Sequence, residues 1–188
     1  LLAFEQLVYP LPMNDLSVPA IYQTIRDEPG DFTMLELPLG WRGSVVLQGK
    51  LDDKAQFYQT VHRKRLLGGI TSRTPRFKFQ YFLELPVINS LIALETGREI
   101  DEARLAQDRA AAPEVLRFFN IHYVNVHRAL TDPAVLQYAR DVFPLEEIYR
   151  DETRIVYRVA LPPLKDQVVL SDETARLYFD DGWGRVQF

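Results

Sequence analysis

The chain has 188 residues, 47% of them hydrophobic and 26% charged, with a formal net charge of −4 and no cysteine. A globular domain of this size folds without a metal or disulfide staple. The acidic balance argues against a nucleic-acid binder, and the missing cysteines exclude disulfides, thiolate metal sites and cysteine nucleophiles.

Leu1 to Val8 is apolar around Glu5, and Tyr9-Pro10-Leu11-Pro12 ends any helix there. Ser17-Val18-Pro19 predicts a cap with proline in the first turn of a helix reaching about Asp27, with Ile21, Tyr22 and Ile25 on one face. Pro29-Gly30-Asp31 stops it. Phe32 to Leu37 reads as a buried strand interrupted by Glu36. Gly40 to Lys50 reads as a loop or loose hairpin. Asp53 to His62 predicts a helix, Arg65 to Leu67 a short strand, and Ser72 to Pro75 a turn. An amphipathic stretch runs from Phe77 to Leu85, breaks at Pro86 and resumes from Val87 to Leu94. Glu99 to Ala112 predicts a polar helix, and Pro113 the opening of another to Phe119.

The clearest strand is Asn120-Ile121-His122-Tyr123-Val124-Asn125-Val126-His127, after which Asp132-Pro133 starts a helix to Val142. Leu145 to Tyr149 and Arg154 to Leu161 alternate as a hairpin around Arg150-Asp151-Glu152. Pro162-Pro163 marks a boundary. Residues 1–161 therefore read as one α/β domain, and 162–188 as a short β-rich extension opening a truncated second β region. The expected fold is three-layer α/β: a mostly parallel sheet, flanking helices and an antiparallel edge hairpin. No stretch approaches the ~20 apolar residues that span a bilayer, and no basic run ahead of an apolar one reads as a signal peptide. The chain starts at Leu1 and stops in the strand-like Val186-Gln187-Phe188, so the expectation is a domain cut from a longer, membrane-bound protein.

Nucleotide fingerprints, phosphate loops, zinc-protease helices and serine elbows are all missing, so no cofactor, metal or catalytic residue is assigned. The densest polar run is Gln59-Thr60-Val61-His62-Arg63-Lys64-Arg65, followed by Gly68-Gly69 and Ser72-Arg73. Arginine forks beside a glycine pair match phosphate oxygens. The plainer reading is a basic helix end that complements the helix dipole. Gln59, His62, Arg63 and Arg73 are the candidate ligand residues, and a sugar-phosphate-binding or enzymatic α/β domain with its site around Gln59, His62 and Arg73 is the alternative they offer. Trp41, like Trp183, sits among glycines and suits either a sugar ring or a loop anchor. His122 and His127 are five apart on one strand, face opposite ways and cannot share a metal. Glu36 is suited to acid/base chemistry, to capping a helix or to pairing with an arginine. Phe77, Phe79, Tyr81 and Phe82 cover too wide an arc for one buried stripe, which suggests a protein-interaction surface.

Several of these segments together resemble a known arrangement. They are Phe4-Glu5 with Tyr9-Pro10-Leu11-Pro12, Val18-Pro19 with Tyr22, Leu35-Glu36-Leu37-Pro38, Tyr58-Gln59-Thr60-Val61-His62 with Leu67-Gly68-Gly69, Ser72-Arg73-Thr74-Pro75, and the strand Asn120 to His127. Over most of Leu1 to Leu161 the chain resembles the segment following the last membrane helices of large bacterial multi-pass proteins. Those proteins are similar to the C superfamily of membrane glycosyltransferases, which use polyprenyl-phosphate sugar donors. The family pattern has glycine where this chain has Arg63. The resemblance implies a domain on the extracytoplasmic side, anchored through the membrane-embedded portion of its parent chain. It also implies that the catalytic carboxylates lie in upstream loops outside this chain. The domain would then be accessory and non-catalytic: a lid, an assembly surface, or a module for a polyprenyl-phosphate sugar or glycan acceptor. On that reading Leu1 to Val8 is the exit from a membrane helix.

Overall fold

A computed structural model describes residues 17–43, 47–71 and 76–161, the side chains of 76–79 excepted. The expectations for Leu1 to Val8, the turn at Ser72 to Pro75 and the extension 162–188 lie outside the described residues. In chain order the elements are α1 (Ile21–Asp27), β1 (Thr33–Leu37), β2 (Trp41–Arg42), β3 (Leu47–Gln48), α2 (Ala55–His62), β4 (Arg65–Leu66), β5 (Gly69–Ile70), α3 (Arg76–Glu84), α4 (Ile88–Glu95), α5 (Glu102–Phe118), β6 (Ile121–His127), α6 (Pro133–Val142), β7 (Leu145–Arg150) and β8 (Arg154–Val159).

The main sheet has the order β4-β1-β6-β8-β7. β1 runs parallel to β4 and β6, while β8 is antiparallel to β6 and β7. Only β8 is reversed, so the sheet is mostly parallel with an antiparallel hairpin at one edge, as the strand–helix alternation predicts. Gly40 to Lys50 contributes the short β2–β3 pair, to which β5 adds in parallel as a second sheet.

Side chains alternate across a strand, so each strand feeds both faces. Met34, Tyr123 and Val156 face α1 and α2, meeting Ile21, Tyr22, Ile25 and Tyr58. Leu35, Leu37, Val124, Val126, Ile155 and Tyr157 face the other way, onto the apolar stripes of α4, α5 and α6. Each fully buried Leu, Ile or Val in these layers contributes about 1.5–3 kcal/mol.

Asp132 caps α6 as expected, accepting from Ala134 N at 2.9 Å with Pro133 in the first turn. The expected helix break at Pro113 does not occur. α5 is one helix of 17 residues with Pro113 inside it, started by Asp101, whose carboxylate accepts from Arg104 N at 2.7 Å. An internal proline costs about 3 kcal/mol through the lost N–H and ring clash. Ala112, Val115 and Leu116, all buried, bracket it on the helix face that packs on the sheet. Tertiary burial thus outweighs the local rule. Pro86 does break the chain, between α3 and α4. Val87 there adopts φ 67°, and Ile88 N donates back to Pro86 O at 2.7 Å, a γ-turn. No helix among the described residues is long and apolar enough to cross a membrane.

The topology singles out one place. β1 leads through α2 outward to β4, whereas β6 leads through α6 to β7 and β8 on the opposite side. β1 and β6 are neighbours, so the chain diverges beyond their carboxyl ends. Open α/β sheets form their ligand crevices at such a switch point.

Candidate functional site

Around the carboxyl ends of β1 and β6 the sheet carries polar side chains on the face that packs against α1 and α2. Glu36 of β1 stands in register with Asn125 of β6, and His127 of β6 with Arg154, the first residue of β8. Each lies an even step from Met34, Tyr123 or Val156, so all four side chains leave the same face. Asp52 precedes α2 and its Oδ1 accepts from Lys54 N at 2.9 Å. Tyr22 of α1 and Tyr58 of α2 close the cluster from above, their rings stacked at 5.0 Å.

The bonds are short. Asn125 Nδ2 donates to Glu36 Oε2 and to the Tyr22 hydroxyl, each at 2.7 Å. Arg154 Nη2 donates to Asp52 Oδ2 at 2.7 Å, and its Nη1 lies 3.7 Å from Glu36 Oε2. The guanidinium also sits over the Tyr58 ring, 4.6 Å from its centroid. Arg154 is only 2% exposed, Glu36 7% and Asp52 6%.

One buried cation thus serves two buried carboxylates. Burial works against the Arg154 charge, but the Glu36 and Asp52 carboxyl groups beside it oppose that effect and the guanidinium stays ionised. Burial pushes the Glu36 carboxyl up to about 7, with Arg154 opposing and Asp52 adding to the rise. The Tyr22 hydroxyl is driven upward by burial and by Glu36, so it stays neutral. A lone guanidinium does not fully hold a second carboxylate away from water. Glu36 therefore takes up a proton near neutrality, and the shorter ion pair of Arg154 is the one to Asp52.

Five buried side-chain atoms among the described residues lack a hydrogen-bond partner: Glu36 Oε1, His62 Nε2, Asn125 Oδ1, His127 Nδ1 and Arg154 Nη1. Native folds retain few such atoms, and here all five fall in or beside one cluster. A narrow gap of about 10 Å³ adjoins it, bordered by Glu36, Pro38, Gly40, Asp52, Ala55 and Gly68.

A larger cleft, about 450 Å³, opens at the opposite end of the strands and is lined by Glu28, Phe32, Leu116, Arg117, His122 and Arg158 among others. Most of its polar groups are engaged with one another. The Tyr123 hydroxyl donates to Glu28, Arg158 Nη2 donates to that same hydroxyl at 3.1 Å, and His122 Nε2 pairs with Asn120 Oδ1 at 3.1 Å. His122 also stacks on Phe32 at 4.5 Å. None of the five unpartnered atoms lies in it, so volume and chemistry point to different ends of the sheet. Glu36, which carries one of those atoms, borders the smaller gap at the switch point.

The polar run on α2 does not gather into a phosphate cradle within the described residues. Gln59 Nε2 donates to Lys64 O at 3.2 Å, closing the helix end. His62 is fully buried beside Tyr22, with ring centroids 5.4 Å apart. Its Nδ1 accepts from Lys64 N at 3.0 Å, and burial with nearby Lys64 lowers it to about 4, so it is neutral. Arg63 is exposed in the left-handed region. Lys64 Nζ turns inward to the carbonyls of Glu28 and Gly30, at 2.6 and 3.0 Å. Arg65 pairs with Asp31 at 2.6 Å on the surface. Trp41 stacks on Phe82 at 4.9 Å and anchors the small sheet. Tyr81 and Phe82 are half-buried against the core. Arg73, Trp183 and the side chains of Phe77 and Phe79 lie outside the described residues.

Asp52, Asn125 and Arg154 carry no local motif, and the sequence reading passes over them. Their one signal is parity: each strand polar residue falls on an inward-facing position of an otherwise apolar strand. No protein-family model, curated protein or solved structure matches this chain.

Proposed function

We propose that this chain is an accessory, non-catalytic domain of a glycosyltransferase-like integral membrane protein, held on the extracytoplasmic side through the membrane-embedded part of its parent chain. The observation that supports it is the convergence of the segments that carry the resemblance. Tyr22, Glu36, Tyr58, His62, Asn125 and His127 come from four such segments and meet around one cluster. The groups able to move protons there are almost wholly buried, and the gap beside them is too narrow for a sugar donor to react in. The cluster is built to hold the switch point rigid, with chemistry left to the parent's other parts.

The parent gene and a topology map test this reading. Membrane helices are expected upstream of Leu1, and alkaline phosphatase fused behind Phe188 of the full parent is expected to be active outside the cytoplasm. A parent without upstream membrane helices, or a fusion active only when retained inside, overturns it.

A further inference from the structure

Charge is spread unevenly along this chain. Residues 37–51 and 66–83 hold five of its 22 Lys and Arg and none of its 26 Asp and Glu. These stretches build β2, β3, β5 and all of α3 except its last residue, Glu84, which pairs with Gln80 at 2.7 Å. The Trp41–Phe82 stack joins the small sheet to α3, so the two stretches form one continuous part of the molecule. The carboxylate beneath it, Glu95, is buried and engaged with the Leu39 and Lys50 amides. A chain of net charge −4 thus sets one region apart for cations.

The small sheet turns a row of side chains outward there. Arg42 stands in register with Leu47 on one side and Ile70 on the other. Neighbouring strands lie about 4.8 Å apart, so the three side chains leave the same face close together, opposite to buried Trp41. Leu47 is 60% exposed and Ile70 39%, two of the four large hydrophobic residues left exposed among the described residues. Arg42 is exposed as well and enters no ion pair among the described residues. Lys50, just after β3, is a second exposed cation.

A lone exposed leucine is ordinary. Two aliphatic side chains flanking an unpaired guanidinium, on a surface cleared of carboxylates, suit a partner that offers apolar matter and negative charge together. Nucleic acid offers the charge but no aliphatic phase. An acidic protein would need a pocket shaped to Leu47 and Ile70. An anionic bilayer offers phosphate oxygens to arginine and acyl chains just beneath them to the aliphatic side chains, and it demands no matching shape.

We propose that the outer face of the small sheet docks on the surface of an anionic lipid bilayer, with Leu47 and Ile70 entering the interface while Arg42 holds lipid phosphate. The inference does not rest on the parent-chain reading, because it concerns what this chain's own surface adheres to.

Cosedimentation of the 188-residue chain with vesicles tests it. One set is phosphatidylcholine alone, the other equal parts phosphatidylcholine and phosphatidylglycerol. Binding is expected to the mixed vesicles, weaker at high salt, and not to phosphatidylcholine alone. Arg42→Gln is expected to weaken it about fivefold, one cation's share at such a surface. Leu47→Ser with Ile70→Ser is expected to weaken it about tenfold. Arg63→Gln removes an exposed cation from the end of α2 remote from Gln56, which bonds to Ile70 O, and is expected to stay within about twofold of wild type. Melting temperatures show whether each variant folds. Should the double variant not fold, Leu47→Ser alone takes its place, with a loss of about threefold. Absence of binding to mixed vesicles, equal binding to both vesicle types, or an equal loss in Arg42→Gln and Arg63→Gln each overturns the proposal. So does undiminished binding by the serine variants, in which case displacement of the vesicles by single-stranded DNA would mark a general attraction to polyanions. Membrane helices in the parent gene would leave each of these outcomes as decisive, so the two readings fail separately.

Discussion

Arg63 shows how one backbone angle strains a single residue. It follows the last residue of α2 with φ 60° and ψ 18°, and its N–H donates to Gln59 O at 2.8 Å, completing the helix end. This left-handed C-terminal position favours glycine, and a side chain there strains the backbone by about 1 kcal/mol. Glycine suits this turn without strain, and arginine fills it under strain. Arg63→Gly is expected to stabilise the fold by about 0.5–1 kcal/mol, the relief being reduced by the greater freedom of glycine in the unfolded chain. Urea unfolding reads it as a higher midpoint with an unchanged slope. A lower midpoint would mean that the arginine side chain contributes more than its backbone costs.

Among the elements, one carboxylate joins three helical segments. Asp108 of α5 is buried, and its Oδ1 accepts from Val87 N at 3.2 Å in the strained turn ahead of α4. Its Oδ2 accepts from the Tyr138 hydroxyl of α6 at 2.8 Å, and Arg104 supplies the counter-charge at 3.2 Å. Burial drives the Tyr138 hydroxyl upward, so it remains a donor. Asp108→Ala strands the buried Val87 N–H and leaves the Tyr138 hydroxyl only its longer bond to Val87 O at 3.5 Å, and is expected to cost about 2–4 kcal/mol. Hydrogen exchange should quicken along Ile88–Glu95, whose entry turn loses its clamp. A loss below about 1 kcal/mol with unchanged exchange would show that the Val87 turn holds by packing alone. The same level explains what the sequence reveals. β6 and α6 are legible because β-branched residues and Asp132-Pro133 are local signals. α5 misleads because Pro113 is judged locally while Ala112, Val115 and Leu116 bury globally. The second sheet is hidden because strands of two residues have no period to read. Glu36 is visible as a polar break in an apolar strand. Its partners are not, since Asn125 lies 89 residues on and Asp52 meets Arg154 across 102. The contiguous run at Gln59 to Arg65 draws attention instead, yet its neighbours along a helix end diverge in space.

Across the whole molecule the two sheets depend on Glu95, the last residue of α4. Its Oε2 accepts from Lys50 N at 2.9 Å and its Oε1 from Leu39 N, so one carboxylate holds both chain segments that bracket the β2–β3 pair. Close packing reinforces the joint, because a Cβ on Gly40 or Gly49 would strike the Lys50 or Leu39 backbone. Burial raises the Glu95 carboxyl to about 7, the two N–H donors holding it down only in part. In the unfolded chain it titrates near 4.5. Between these values the folded form keeps a proton that the unfolded form has released. The stability contributed by Glu95 is therefore complete below about pH 4.5, falls as pH rises, and is lowest above about pH 7. His62, lowered from 6.5 to about 4, and Glu36, raised from 4.5 to about 7, also make stability depend on pH over an overlapping range, so the wild-type profile alone does not isolate the effect. The difference between Glu95→Gln and wild type does. Glutamine has no charge to lose, so the variant is expected to be most harmful at low pH. Its stability relative to wild type should rise by about 1.4 kcal/mol per pH unit through the window where only the folded form is protonated. Urea midpoints of both proteins at about pH 5, 6 and 7.5 measure it. A difference that stays flat or shrinks as pH rises would show that the Leu39 and Lys50 amides, and not burial, govern this carboxylate. The small sheet would then be held by an anion at every pH.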